Sequence, residues 1–132
     1  MKILIFALIF TFGAGALFVA EAQAAKTVRL GLNQQKDVYG RKLRIKFLSV
    51  VEDSRCPTGT NCIWAGNAKV KVRIIDSKGR SKDFELNTNL PEKKVSYGGY
   101  EIELAGLAPY PNAEGTNRAA YVATLSVTKT KK

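Results

Sequence analysis

Histidine is absent from this 132-residue chain, and cysteine occurs only twice. Without imidazole, no Ser-His or Cys-His nucleophile-base pair can be assembled. Zinc and copper lose their usual nitrogen ligand, and two thiolates alone do not close such a site. The sequence therefore offers no metal site, no cofactor site and no catalytic residue of the common kinds. Acids are also scarce, with 11 Asp and Glu against 21 Lys and Arg, a formal charge of +10. Internal repeats are missing, as is any long amphipathic helical pattern after the first two dozen residues. A phosphate-cradling loop is missing too: "YGGY" at Tyr97 to Tyr100 lacks the helix and lysine that such loops require.

One apolar run is long, and it sits at the start, "MKILIFALIFTFGAGALFVAEAQAAK". Lys2 gives a positive start, Ile3 to Ala20 carries no charge, and "AQA" at Ala22 to Ala24 offers the small-x-small pattern of a signal-peptidase site. The expectation is a signal peptide over 1–24, leaving one exported domain over 25–132 without a stable membrane span. A retained anchor is the alternative, since a bilayer asks for about 20 apolar residues. Gly13 and Gly15 weaken such a helix. Periplasmic or secreted placement follows, with Lys2 and Glu21 cancelling so that the net charge survives cleavage.

In an oxidising compartment, Cys56 and Cys62 most simply form one disulfide. The ring "CPTGTNC" contains Pro57 and Gly59, which favour a returning turn. Loop-closure entropy makes such a bridge worth about 2 kcal/mol. A thioredoxin-like centre would need a much tighter Cys spacing. Around the ring lie Asp53, Ser54, Arg55, Trp64 and Gly66, read as a structural motif. Asp53 and Ser54 side chains are expected to accept backbone N–H groups while Arg55 pairs locally. Trp64 is expected to pack against the bridge and fill the core, with an exposed stacking platform as the other reading.

"EDSRCPTGTNCIWAGNAKVKV" resembles a group of small exported bacterial proteins that share Asp-Ser-Arg-Cys-Pro, a gap, Cys-x-Trp-x-Gly and an alternating strand. The likeness extends through "YEIELAGLAPYP" and "YVATLSV". It implies a fold and a location, and it brings no catalytic residue with it.

Period-two alternation dominates the rest. "RKLRIKF" puts Leu43, Ile45 and Phe47 on one face, and "NAKVKVRII" does the same with Ala68, Val70, Val72 and Ile74. "SKDFELN", "YEIEL" and "AAYVATLSV" repeat the pattern, and "KTVRLGL" adds another candidate strand. Six or seven short strands, divided by "SKGR", "YGGY" and "PYPNAEGTN", predict an all-β fold. The expected architecture is a small antiparallel β-sandwich or flattened barrel with one disulfide and a frayed basic tail over 128–132.

Two of these strands carry outward cations: Lys42, Arg44 and Lys46 on one, Lys69, Lys71 and Arg73 on the other. Paired side by side they would form an anion-binding face; interleaved with acids they would form cross-strand pairs. "VRIIDSKGRSKDFEL" reads as a hairpin that brings Lys71 or Arg73 near Asp83 or Glu85. The partners that fit are an anionic envelope component (a lipid head group or acidic glycan) or an envelope protein, ahead of nucleic acid. The sequence thus points to a non-catalytic exported binding module. The loops Glu52 to Ala65 and Ala108 to Ala119 could form its recognition tip. Peptidase inhibition through those loops is the alternative, and a small hydrolase built on Glu52 or Asp53 a weaker one.

Overall fold

Alternation resolves into two facing sheets. The computed structural model describes residues 15–17, 24–115 and 117–130. The expected signal peptide falls outside these residues apart from 15–17 and Ala24. Among the described residues, no helix is long and apolar enough to cross a membrane.

The strands are β1 (Lys26–Gly31), β2 (Gln35–Val38), β3 (Leu43–Asp53), β4 (Ala68–Asp76), β5 (Ser81–Asn87), β6 (Lys94–Tyr97), β7 (Tyr100–Ala108) and β8 (Val122–Lys129). One four-stranded sheet runs β1-β8-β7-β6 and the other β2-β3-β4-β5, with every pairing antiparallel. The chain changes sheet between β1 and β2, between β5 and β6, and nowhere else among the described strands. The fold is a β-sandwich, tied by one disulfide between Cys56 and Cys62.

The core lies where the alternation put it. Leu43, Ile45, Phe47, Val70, Val72, Ile74 and Leu86 line one inner face, all fully buried. Leu30, Ile102, Ala123, Leu125 and Val127 oppose them from the other sheet, also fully buried. Removing this apolar surface from water, at about 25 cal/mol per Å2, is what holds the layers together.

The structure has two strands more than the period-two segments supplied. β2 and β6 span four residues each and sit at sheet edges. An edge strand this short buries one or two side chains, so no alternation can register: Val38 is the only buried residue of β2, and β6 has none. The tail also differs from expectation. Thr128 and Lys129 continue β8 opposite Glu101 and Tyr100, and Thr130 N donates to Gly99 O at 2.9 Å.

β3 is where the fold prepares its loop end. Two bulges, between Phe47 and Ser49 and between Val50 and Glu52, interrupt its pairing with β4. Each bulge slips the side-chain alternation by one residue. The first slip brings Val50 inward and the second cancels it, so Val51 is exposed in the second bulge while Asp53, back in phase with Phe47, faces Ala68 on the inner side of the sheet. A carboxylate thus ends the inward row of β3, at the mouth of the sandwich.

Candidate functional site

Three connections meet at the end of the sandwich where β3 finishes: residues 54–67, 88–93 and 109–121. The first begins as a continuation of the β3–β4 ladder. Ser54 N donates to Asn67 O at 2.8 Å, and Cys56 N donates to Ala65 O at 2.9 Å. Ser54 Oγ accepts from Asn67 N at 3.3 Å, and Asp53 Oδ1 accepts from Arg55 N at 3.3 Å. Gly66 has φ +75°, and a Cβ there would sit 2.0 Å from Ser54 O. Only glycine allows the two strands of this loop to approach so closely. Beyond that neck the disulfide closes the ring, within which Thr60 Oγ1 donates to Pro57 O at 2.7 Å.

Arg55 binds this loop to the far sheet. Its Nε and one terminal nitrogen clamp both oxygens of Asp53 at 2.8 Å. The guanidinium also donates to Leu107 O and, at 2.8 Å, to Pro109 O. Tyr121 Oη donates to Asp53 Oδ2 at 2.7 Å, and the Tyr110 ring lies 4.3 Å from the guanidinium carbon. The Arg55 side chain is 1% exposed and that of Asp53 9%. Burial works against the charge on both groups, yet the pair outweighs it. Arg55 and Tyr121 hold the Asp53 carboxyl below the ordinary carboxylate range, and Asp53 holds Arg55 above its own. The expected local pairing of Arg55 is therefore present. The same side chain also spans both sheets, which sequence proximity did not reveal.

Asn67 performs the matching task on the other flank, and the sequence reading missed it. Its amide is buried and donates to Asn87 Oδ1 at 2.8 Å. Its carbonyl oxygen accepts from Asn89 N at 3.0 Å and Leu90 N at 3.3 Å. Asn89 Nδ2 returns a bond to Gly66 O at 2.6 Å. The third connection joins through Thr58, whose N–H donates to Pro111 O at 2.9 Å. The long loops expected to form a tip do meet, together with the β5–β6 connection.

Among polar neighbours such as Asn61, Glu114 and Arg118, this frame presents four large apolar side chains. Ile63 is fully exposed, Trp64 is 57% exposed, and Leu90 and Tyr110 are exposed on the neighbouring loops. The expectation that Trp64 fills the core is corrected by its exposure. The inward positions at this end are occupied by Asp53, Arg55 and Asn67, so no space remains for an indole. A cleft of about 270 Å3 lies on one side of the clamp, lined by Leu32, Val51, Glu52, Asp53, Arg118 and Tyr121. Another of about 360 Å3 lies between Arg55, Asn89, Leu107 and Tyr110. Asp53 is the buried acid of the first cleft, and its lowered pKa is the reverse of what a general acid requires. Among the described residues, no group of three or more potential ligands converges on a metal position.

The six candidate anion-binding cations fall elsewhere. β3 and β4 are neighbours, with Lys46 opposite Arg73, so the two basic strands do pair. Their acids come from the flanking strands. Arg44 Nε lies 2.7 Å from Asp37, Arg73 Nε 2.7 Å from Asp83, and Lys69 Nζ 3.9 Å from Glu85. Lys71 faces Glu85 across β4 and β5, and Lys46 faces Gln35. Lys42 leaves the face altogether, because it lies in the β2–β3 turn and its N–H donates to Tyr39 O. The face is thus a basic centre between acidic margins. Comparison of the chain with protein-family models, with curated proteins and with solved structures finds no match.

Proposed function

We propose that this chain is an exported, non-catalytic binding domain that recognises a protein of the cell envelope through its three-loop tip. The observation that carries the reading is the exposure of Ile63, Trp64, Leu90 and Tyr110 on loops cross-braced by buried polar groups. Exposed large apolar side chains held rigidly lose little conformational entropy when a partner covers them, and Trp and Tyr are among the residue types that dominate binding energy. A floppy apolar loop would gain much less. Catalysis is the poorer fit, because Asp53 is locked in an ion pair, Glu52 beside it stands exposed, and the chain has no histidine to serve as base.

A partner with an apolar cleft suits exposed side chains of this kind. A peptidase is one such class, and inhibition would be the consequence. Placing a photo-crosslinker at Ile63 and a second at Ser77, on the opposite end, tests the reading in cells. A defined protein adduct is expected from Ile63 only, and it should disappear in Trp64→Asp. Equal labelling from both positions, or an adduct indifferent to Trp64→Asp, would overturn it.

A further inference from the structure

The end opposite the tip has a contrasting chemistry. There the β2–β3 turn, the β4–β5 turn, the β6–β7 turn and both termini of the sandwich converge. Tyr39 Oη donates to Val127 O at 3.1 Å, and its ring stacks on Tyr100 with centroids 5.0 Å apart. A Cβ on Gly98 would lie 3.1 Å from Asp76 Cβ, and Thr130 N donates to Gly99 O. Lys26, Arg41, Lys42, Lys78, Lys82 and Lys129 all stand exposed around this end. Four described carboxylates lie among or beside them, Asp37, Asp76, Asp83 and Glu101, and each is already engaged by another cation, Arg44, Arg80, Arg73 and Lys94 respectively. Apart from Arg41, which lies 3.8 Å from Asp37, none of the six pairs with a carboxylate among the described residues.

We propose that this basic end lies on an anionic phospholipid surface, orienting the domain so that the loop tip points away from the bilayer. The cations are spread over separate turns instead of gathered in a cleft, which suits a plane of point charges better than one bound molecule. The first strand, β1, also enters the sandwich at this end, at Lys26. A nine-residue strand such as β4 then lifts the tip about 30 Å above the surface. This inference rests on residues other than those of the tip and stands or falls independently of the protein-recognition reading.

The test is co-sedimentation of protein purified from cells expressing the full chain, with vesicles of equimolar phosphatidylglycerol and phosphatidylcholine or of phosphatidylcholine alone. An inserted apolar run would bind both, so the readout is the difference between them. Binding to the anionic vesicles should be the stronger at low salt. The difference should vanish near about 1 M salt, where the screening length is about 3 Å. The triple variant Lys42→Gln, Lys78→Gln and Lys129→Gln should weaken it about 100-fold, from roughly fivefold per lysine at an anionic surface. The triple variant Lys46→Gln, Lys69→Gln and Lys71→Gln removes the same charge from the sheet face and should change it by less than about threefold. Melting curves confirm that both variants fold. Equal loss in the two variants, no preference for anionic vesicles, or stronger retention on an acidic polysaccharide or nucleic acid at the same salt would overturn the proposal.

Discussion

Replacing Arg55 by alanine should be among the most damaging single changes in this protein. The substitution strands the Asp53 carboxylate, whose side chain is 9% exposed, with Tyr121 as its remaining side-chain donor. It also strips the guanidinium from Leu107 O and Pro109 O. Breaking a buried pair by removing one partner costs about 3–5 kcal/mol, against a total of about 5–15 kcal/mol for a domain. Replacing both members, Asp53→Leu with Arg55→Met, should cost clearly less than the sum of the single changes, because no charge is left buried alone. The assay is urea denaturation followed by far-ultraviolet circular dichroism. Trp64 fluorescence is a poor reporter because that side chain is already 57% exposed. A loss under about 1 kcal/mol for Arg55→Ala, or additivity of the two single changes, would refute the claim that this pair holds the tip to both sheets.

Gly66→Ala combines a positive φ with a Cβ placed against Ser54 O, and should cost about 3 kcal/mol or more by chemical denaturation. Replacing Cys56 and Cys62 by serine should cost about 2 kcal/mol through the denatured state, with free-thiol titration of the wild type giving none. Acid should destabilise the fold through Asp53. Its native pKa is depressed, so its contribution is full above the unfolded value near about 4 and is lost as pH falls through the native one. Melting temperature measured from neutral pH downwards should drop below about pH 4, and that drop should be shallower in the Asp53→Leu, Arg55→Met variant.

The strand faces were legible because period two is a local signal: Leu43, Ile45 and Phe47 need no knowledge of their partners to be assigned inward. The β4–β5 hairpin was legible for the same reason, its turn being short and its charges complementary. β2 and β6 were not, since an edge strand of four residues buries too little to leave a pattern. Arg55 was half legible. Asp53 lies two residues away, but Leu107 and Pro109 lie 52 and 54 residues away, and nothing local foretells that reach. Asn67 gave no signal, because a buried amide and a turn amide look alike in sequence. Trp64 misled because burial is the usual fate of a lone tryptophan, whereas polar groups fill its expected site here. The pairing of two basic strands depended on strand order, which only the packed sheets disclose.

The loop end as a rigid extension of the sandwich is most directly tested by amide hydrogen exchange at Ser54, Cys56, Thr58 and Thr88, whose N–H groups brace it. Protection within about 2 kcal/mol of the β4 and β8 amides is expected, with Ile63 and Trp64 exchanging fast at the surface. Exchange at those four positions as fast as at Ile63 would mean that the loops open freely, and would contradict the account.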